Sequence, residues 1–211
     1  MPLLSLYGDL TAAATPRARR QVHYAPMDET DERLMLGWRE GDAAAFGQLY
    51  ARHKGGVLRY LLRHTGKREW AEELFQDVWL KVVNASSGYE ARARFSAWLY
   101  SIAHNRLMDH FREHSRASLV SYEDEAPSAQ AQPAAVHEQP ERRLERKQDA
   151  QALLRSLDAR PAAQREAFVL QQEGELSVEE IAAATGVNRE TAKSRLRYAF
   201  AKLRMDLGKA T

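Results

Sequence analysis

The stretch Ser177–Arg204, SVEEIAAATGVNRETAKSRLRYAFAKLR, has the pattern of two helices joined by a tight turn. Ser177 and Glu180 form a capping box, in which a serine and a glutamate three residues later satisfy the free amides that start a helix. Gly186 can adopt the left-handed backbone conformation that ends a helix, and Asn188 can cap the next one. The stretch therefore predicts a short helix, a turn and a longer second helix.

The second helix of this pair is apolar on one side and basic on the others. Helical steps of three and four residues join its apolar positions, which are Ala192, Leu196, Ala199, Phe200 and Leu203. Its other faces carry six cations and a single acid, Glu190. The cations are Arg189, Lys193, Arg195, Arg197, Lys202 and Arg204. A glycine-containing turn followed by a basic helix is typical of a helix-turn-helix DNA reader. An ordinary two-helix hairpin has the same periodicity, so that alternative stays open from this stretch alone.

Helical periodicity also runs through most of the remaining chain. The segments with apolar residues at helical spacing are 29–40, 42–64, 68–84, 95–115, 140–158 and 161–173. No segment has the alternation of a strand. The sequence thus predicts an all-α fold of two small helical domains joined by a flexible linker. The C-terminal domain is predicted to have four helices and to end in the helix-turn-helix.

Two segments lack helical periodicity. Residues 117–139 are rich in Ala, Gln, Pro and Glu, with almost no large aliphatic side chain, so we predict a flexible linker there. Residues 1–27 are predicted to be a disordered extension. Because Met27 begins an acidic, helix-initiating sequence, we hypothesise that residues 1–26 are dispensable or an over-extended start assignment. The two helical domains are then expected at 28–116 and 140–207.

The composition limits the class of protein. The chain has 44% hydrophobic and 28% charged residues, which are the proportions of a soluble globular protein. Its net charge of +2 excludes a uniformly basic coat, so a nucleic-acid surface must come from local clusters. It has no cysteine, which excludes disulfides and thiolate metal sites. Because no apolar run approaches the roughly 20 residues that cross a membrane, and no signal peptide is evident, we expect a cytoplasmic protein without membrane insertion.

Motifs for catalysis are missing from the sequence. It contains no Gly-rich phosphate loop, Gly-x-Ser-x-Gly or His-Glu-x-x-His. His110 and His114 lie one helical turn apart, but no third metal ligand lies near them in sequence. The acids between Glu72 and Asp77 lie on a helical face with nothing to raise a carboxylate pKa. We predict no catalytic residue, no metal and no cofactor, and keep a helical enzyme with a metal near the two histidines as the alternative.

Three stretches in order resemble the extracytoplasmic-function (ECF) subgroup of the sigma-70 family of bacterial RNA polymerase sigma factors. Ala71–Lys81, AEELFQDVWLK, resembles the helix of that family that binds polymerase. Phe95–Arg106, FSAWLYSIAHNR, resembles the helix that reads and melts the −10 promoter element. Ser177–Arg204 resembles the helix-turn-helix that reads the −35 element. The order, the spacing and the intervening linker also match, and the resemblance covers about 31–204.

Two features depart from the pattern of the family. The pair Gly55-Gly56 is not expected inside the second helix, and each glycine should weaken that helix by about 1 kcal/mol relative to alanine. Ala192 stands where a larger aliphatic residue is common, so we expect looser packing beneath the recognition helix.

The resemblance implies three sets of site residues. Those that would bind core polymerase are Glu72, Glu73, Gln76, Asp77 and Leu80. Those that would read and melt the −10 element are Tyr89, Phe95, Asn105, Arg106, Asp109 and Arg112, with the loop 85–94 holding a flipped base. Those that would read the −35 element are Arg189, Glu190, Thr191, Lys193, Ser194, Arg195 and Arg197. Either Tyr89 or Phe95 would stack on an unpaired base, whereas Trp98 is interpreted as a packing residue.

The resemblance further implies a non-catalytic specificity subunit of RNA polymerase. Its partners would be core RNA polymerase, promoter DNA and a cognate anti-sigma factor. The free protein would be a monomer, or a heterodimer with the anti-sigma factor. The flexible linker would raise the effective concentration of each DNA-binding half for the other. The alternative from a different class is a two-domain DNA-binding regulator that never joins polymerase.

Overall fold

The computed structural model describes residues 30–118 and 154–207. The predicted extension over 1–27 lies outside these residues, as do all but the first two residues of the predicted linker over 117–139. Of the helix expected over 140–158, only 154–158 are described, and they are helical. Every regular element in the described ranges is a helix, so the all-α prediction is confirmed for this part of the chain.

The helices follow the order expected from the sequence. In the first domain they are α1 (Asp31–Arg39), α2 (Ala43–Thr65), α3 (Arg68–Ala85) and α4 (Phe95–Ser118). A 3-10 turn, Ser86–Gly88, begins the loop between α3 and α4. In the second domain, after the helical residues 154–158, they are α5 (Ala162–Gly174), α6 (Val178–Thr185) and α7 (Arg189–Leu207).

The caps of the helix-turn-helix are those that the sequence predicts. Ser177 and Glu180 form both halves of the capping box at the start of α6. Gly186 ends this helix with a φ of 67°, in the left-handed region that favours glycine. Oδ1 of Asn188 accepts a hydrogen bond of 2.8 Å from the amide of Thr191 and so caps α7. Because these contacts span only a few residues, they set the angle between α6 and α7 locally.

The end of α5 differs from the sequence interpretation. The sequence pattern ends this helix at residue 173, but Gly174 is still helical, and Glu175 takes the left-handed conformation with a φ of 52°. Gly174 is buried, and a Cβ atom there would lie 2.8 Å from the ring of Tyr100. The glycine is therefore required for close packing between helices, not for the turn.

The core of the first domain lies between α2, α3 and α4. Its fully buried aliphatic side chains recur at the predicted helical spacing and include Leu49, Val57, Leu61, Leu74, Val78, Val82, Leu99 and Leu107. Burial of such a side chain is worth about 1.5–3 kcal/mol relative to exposure. This shared apolar side fixes the outer faces of α3 and α4 relative to each other.

The core of the second domain lies beneath α7. Ala192, Leu196, Ala199 and Leu203 are buried as predicted, and Ala192 is fully so. Phe200, expected on the same apolar stripe, is 38% exposed, and its ring lies 5.2 Å from that of Phe168. The apolar stripe thus turns the cations of α7 outward, as the sequence predicts.

The two domains pack against each other. Helix α2 contacts α5, and α4 contacts both α5 and α6. We call this contact the interdomain seam, formed by Gly56, Arg59, Tyr60, Tyr100 and His104 on one side and Glu166, Glu173 and Gly174 on the other. In the described ranges, no helix has the length and apolar character that a membrane span requires.

Candidate functional site

The predicted polymerase-binding residues lie on the outer side of α3. Glu72 and Glu73 are exposed, Gln76 and Asp77 are half-buried, and Leu80 is 52% exposed. Glu72 is also held within its own helix by an ion pair of 2.7 Å to Arg68. An exposed leucine with polar residues around it has the form of a protein interface, with an apolar centre and a polar rim.

Asp77 joins this face of α3 to the −10 helix. Its Oδ2 accepts a hydrogen bond of 2.7 Å from Nε of Arg106 on α4, and Nη1 of Arg106 lies 3.6 Å from Glu113. Burial alone would lower the pKa of Arg106, but the hydrogen bond and charge of Asp77 outweigh it and the pKa is raised. Arg106, expected to face DNA, is only 15% exposed and here braces α3 against α4.

The rest of the predicted −10 side of α4 is open. Asn105 and Arg112 are exposed and Asp109 is half-buried. Arg112 forms an ion pair with Asp109 one helical turn away and also donates to the carbonyl oxygen of Met108 at 3.4 Å. Both contacts lie within α4 at its surface, so this guanidinium is accessible to a phosphate.

A cavity opens beside the loop 85–94. Its volume is about 690 Å³, and its lining includes Asn84, Ser87, Tyr89, Arg92 and Trp98. The cavity coincides with the loop in which the family resemblance places a flipped base. It combines polar groups, a cation and aromatic rings, which are the groups that hold an unpaired base.

The aromatic residues at this cavity are arranged differently from the sequence interpretation. Phe95 is fully buried and Tyr89 is only 3% exposed, so neither ring offers an open face for a base. Burial raises the pKa of the Tyr89 hydroxyl to about 12. Trp98, interpreted as a packing residue, does pack 5.0 Å from Tyr89, but it is only half-buried and also lines the cavity. The spacing of the aromatic residues does not show which ring is accessible to solvent.

Helix α1 holds the middle of this loop and the first residue after it, which the sequence analysis missed. Nη1 of Arg39 donates to the carbonyl oxygen of Tyr89 at 3.1 Å. Oε1 of Glu32 accepts a hydrogen bond of 2.7 Å from the amide of Phe95 and so caps the start of α4. No local pattern marks either contact, because each joins residues at least 50 positions apart.

The recognition face of α7 is accessible. Arg189, Glu190, Lys193 and Arg197 are exposed, and Thr191, Ser194 and Arg195 are half-buried. Arg189 forms ion pairs with Glu179 on α6 and with Glu190, and all three side chains are more than half exposed. A cavity of about 410 Å³, lined in part by Asn188, Glu190 and Ser194, opens beside the first turns of α7. All seven predicted −35 contacts therefore lie together on one helix.

The histidine pair on α4 serves a packing role in this structure. The rings of His110 and His114 lie 3.9 Å apart, and Trp70 of α3 lies 5.1 Å from the first and 4.8 Å from the second. His110 is buried, and burial lowers its pKa. Among residues 30–118 and 154–207, no group of three or more His, Cys, Asp or Glu side chains is placed to hold a metal. The pair therefore gains no third ligand from the residues that the structure describes.

A buried polar cluster at the interdomain seam was also missed. Oε1 of Glu166 on α5 accepts a hydrogen bond of 2.8 Å from the hydroxyl of Tyr60 on α2. The same oxygen lies 2.7 Å from Nδ1 of His104 on α4. The only sequence signal near this cluster was the unexpected Gly55-Gly56 pair.

Both domains match known sequence families. The family model for sigma-70 region 2 matches residues 49–117, and that for sigma-70 region 4 matches residues 150–203. The chain is 34% identical over 175 residues to the RNA polymerase sigma factor CarQ of Myxococcus xanthus, covering 82% of this chain and 95% of the relative. It is 30% identical over 169 residues to the ECF RNA polymerase sigma factor RpoE of Cereibacter sphaeroides, covering 79% of this chain and 88% of the relative.

Solved structures share the arrangement of helices. The sigma factor RpoE of Bartonella quintana, in complex with the anti-sigma factor NepR, matches with a TM-score of 0.64 at 25% identity, covering 77% of this chain and 96% of that one. CnrH, in complex with the cytosolic domain of CnrY, has the same fold, with a TM-score of 0.56 at 22% identity over 86% of this chain and 99% of that one. The helix-turn-helix, the two matched regions and the full-length relatives agree: the chain belongs to the ECF branch of the sigma-70 family of RNA polymerase sigma factors.

Proposed function

We propose that the protein binds core RNA polymerase, directs it to specific promoters and opens the −10 region to begin transcription. The observation that carries the proposal is that one chain of this family has separate exposed surfaces on α3, α4 and α7. Sigma factors are specificity subunits of polymerase, so this chain would supply recognition and leave bond formation to the core enzyme. Because its partner acts on the chromosome, the protein would work in the cytoplasm.

The outer side of α3 is the proposed polymerase-binding face. Leu80 would provide the apolar centre of the contact, and Glu72, Glu73 and Gln76 the polar rim. Asp77 would contribute less directly, because its carboxylate is already bonded to Arg106. A few buried side chains carry most of the energy of such interfaces, and the half-exposed leucine is the strongest candidate here.

The cavity beside the loop 85–94 and the open side of α4 form the proposed −10 surface. A base flipped out of the duplex would enter the cavity, with Trp98 as the nearest accessible aromatic ring. Stacking on such a ring is worth about 1–3 kcal/mol per base, which helps to offset the cost of unpairing. Asn105, Asp109 and Arg112 would follow the displaced strand, with the guanidinium on a phosphate.

The recognition face of α7 is the proposed −35 reader. Residues at the start of a recognition helix reach base edges, whereas later cations more often meet phosphates. Arg189, Glu190 and Lys193 would therefore specify sequence. Arg197 would position the helix on the duplex. Arg189 would exchange its contact with Glu179 for one with DNA.

An anti-sigma factor is the proposed regulator. The Bartonella quintana relative was solved bound to its anti-sigma factor NepR. A partner of the same class would act on this chain by covering the polymerase face of α3. The free protein would then be a monomer, and the inhibited form a heterodimer.

Run-off transcription tests the proposal directly. Purified core polymerase is mixed with the full chain and a library of promoter duplexes, and the transcripts are sequenced. We expect initiation from a subset of duplexes that share −10 and −35 sequences. If the protein binds DNA but supports no transcript from any duplex, the regulator that never joins polymerase becomes the correct interpretation.

Substitutions on α3 distinguish these two functions further. Glu73→Ala and Leu80→Ala remove exposed side chains without touching the Asp77–Arg106 contact. We expect each to weaken core binding about tenfold and leave binding to −35 duplexes unchanged. Glu40→Ala, exposed at the end of α1, is the matched control. Normal core binding by both α3 variants would remove this face from the proposal.

A further inference from the structure

Helix α1 makes two hydrogen bonds to the main chain beside the proposed −10 cavity. Nη1 of Arg39 donates to the carbonyl oxygen of Tyr89 at 3.1 Å, and the amide of Phe95 donates to Oε1 of Glu32 at 2.7 Å. Each bond has one charged partner, and such bonds are roughly twice as strong as those between neutral groups. Helix α1 therefore holds the first and last residues of the segment 89–95.

The two contacts come from one face of α1. Glu32 and Arg39 are seven residues apart, which is about two helical turns, so their side chains leave the same face about 10 Å apart along the helix axis. A fully extended chain of the length of 89–95 would span about 20 Å. Anchors at this spacing favour an arch over an extended chain. Residues 90–94 are all exposed, as an arch between two anchors requires.

The arch has little bonding of its own. Among the described residues 89–95, the only backbone hydrogen bond with both ends in the segment joins the amide of Arg92 to the carbonyl oxygen of Glu90 at 2.7 Å. The ion pair between these two side chains is exposed, and the side chain of Arg94 bonds to the second domain. Glu90, Arg92 and Ala93 line the cavity. The shape of this wall of the cavity therefore depends on how α1 holds the two ends.

Helix α1 is itself fixed on α2. Its residues Leu34 and Met35 are buried in the core. Oδ1 of Asp31 lies 2.8 Å from Nη1 of Arg52, and Oδ2 lies 2.6 Å from Nε2 of His53, both on α2. Burial alone would raise the pKa of Asp31, but the hydrogen bonds from His53 and Arg52 outweigh it and the pKa is lowered. The helix that holds the arch is thus a rigid support.

We infer that Glu32 and Arg39 are positioning residues for −10 recognition, which hold the arch 89–95 in the shape that selects the flipped base. Neither side chain lines the cavity, so both act through the loop. A rigid wall rejects the wrong base, whereas a mobile wall can adapt to it. The role in base selection rests on the proposed function, whereas the anchoring of the arch is a property of the free chain.

Amide hydrogen exchange in the free, full-length chain measures the anchoring. Glu32→Ala should speed exchange of the Phe95 amide about tenfold, the size expected for loss of a hydrogen bond to a charged group. Glu32→Gln keeps an acceptor oxygen and should keep this exchange slow. Glu40→Ala removes an exposed glutamate at the end of α1 and is the matched control. Equal exchange in the parent and Glu32→Ala would overturn the anchoring.

Run-off transcription with core polymerase measures base selection. The duplexes carry one fixed −35 sequence and a randomised −10 sequence. Glu32→Ala and Arg39→Ala should each reduce discrimination at one −10 position about fivefold, because the loosened arch accepts other bases. Binding to core polymerase and to a −35 duplex should be unchanged. Circular dichroism of each variant checks that the helices are intact.

Conservative and neighbouring variants separate positioning from a general defect. Glu32→Gln and Arg39→Lys keep an acceptor and a cationic donor, so they should restore most of the discrimination. Arg33→Ala removes an exposed arginine of the same helix that does not contact the loop and should behave as the parent. A structural defect in α1 would instead reduce initiation in the conservative variants as well.

Two outcomes would overturn the role in base selection. One is an unchanged −10 preference in Glu32→Ala when its Phe95 amide exchanges fast. The other is a uniform loss of initiation from all −10 sequences in Arg39→Ala, which would identify this exposed cation as a phosphate contact. If the parent chain initiates on no duplex, the proposed function and the role in base selection both fail, whereas fast Phe95 exchange in Glu32→Ala alone would still support the anchoring.

Discussion

The recognition face of α7 and the interdomain seam both place an acid beside a cationic or protonatable group, with opposite burial. The side chains of Arg189 and Glu179 are 56% and 59% exposed, whereas those of His104 and Glu166 are 12% and 9% exposed. Exposed pairs contribute little to stability, so the first can be exchanged for a DNA contact. A buried charge that loses its partner is costly, so the second commits the two domains to each other. The exposed pair is therefore available to binding partners, whereas the buried pair stabilises the packing of the two domains.

The largest effect is expected from Glu166→Gln. Loss of the charge should weaken docking of the two domains by about 3 kcal/mol, the lower end of the range for breaking a buried pair. Hydrogen exchange of α5 amides in the native protein measures the change. Tyr60→Phe removes one hydrogen bond to the same carboxylate and should cost about 1.5 kcal/mol, the lower end of the range for a hydrogen bond to a charged group. Equal hydrogen exchange in the parent and in Glu166→Gln would show that this buried contact contributes as little to docking of the two domains as an exposed ion pair does.

The next effect is expected on the recognition face. Lys193→Ala should weaken binding to a −35 duplex by about 1–3 kcal/mol, because this side chain is proposed to contact a base. Arg197→Ala, at a proposed phosphate contact, should instead weaken binding to all sequences and reduce the salt dependence. Arg204→Ala, exposed in the last turn of α7, is the control. If promoter preference is unchanged in Lys193→Ala, this residue does not read sequence.

Acid should open the seam and destabilise the fold. Burial lowers the pKa of His64 below its usual value of 6.5, so the unfolded chain binds more protons and stability falls as pH drops from about 6.5. Burial lowers the pKa of His110 as well, so its protonation also reduces stability as pH falls. The pKa of Glu166 is lowered, so its contribution is present above the ordinary glutamate range and is lost as pH falls through its lowered pKa.

Thermal unfolding at pH 7.5 and 5.5 measures the histidine contribution. His64→Phe keeps a ring in contact with Tyr60 and should reduce the difference in melting temperature between the two pH values, with His110 accounting for part of what remains. A parent protein that is equally stable or more stable at pH 5.5 would contradict this assignment.

The smallest effect is expected from Glu179→Ala. Its partner Arg189 is exposed and their contact lies at the surface, so the melting temperature should not change measurably. DNA affinity should rise slightly, because a competing acid next to Arg189 is gone. Gln172→Ala, exposed on α5, is the control for a surface change. A marked loss of stability would show that this pair holds α6 and α7 together.

Local features of the fold were predictable from sequence. The caps at Ser177, Gly186 and Asn188 depend on neighbours within a few residues, and the buried sides of the helices follow from spacing alone. The polar outer sides of α3, α4 and α7 follow from the same spacing, whereas the roles assigned to these sides rest on the family resemblance and stay predictions.

Contacts between distant residues were not predictable. Glu32 caps α4 from 63 residues away, and Tyr60 bonds Glu166 from 106 residues away. Periodicity reports only the face of one helix and does not identify its partner. The same limit applies to aromatic residues, since nothing in the spacing of Phe95 and Trp98 distinguishes a buried ring from one that lines a cavity.

The contact between Asp77 and Arg106 has a thermodynamic consequence. If polymerase draws Asp77 away, Arg106 becomes available to DNA, and if DNA draws Arg106 away, Asp77 becomes available to polymerase. Linkage requires that each ligand strengthen the other by the same factor. We expect core polymerase to increase affinity for a single-stranded −10 oligonucleotide, and Asp77→Asn to reduce that increase. Equal cooperativity in the parent and Asp77→Asn would locate the coupling elsewhere.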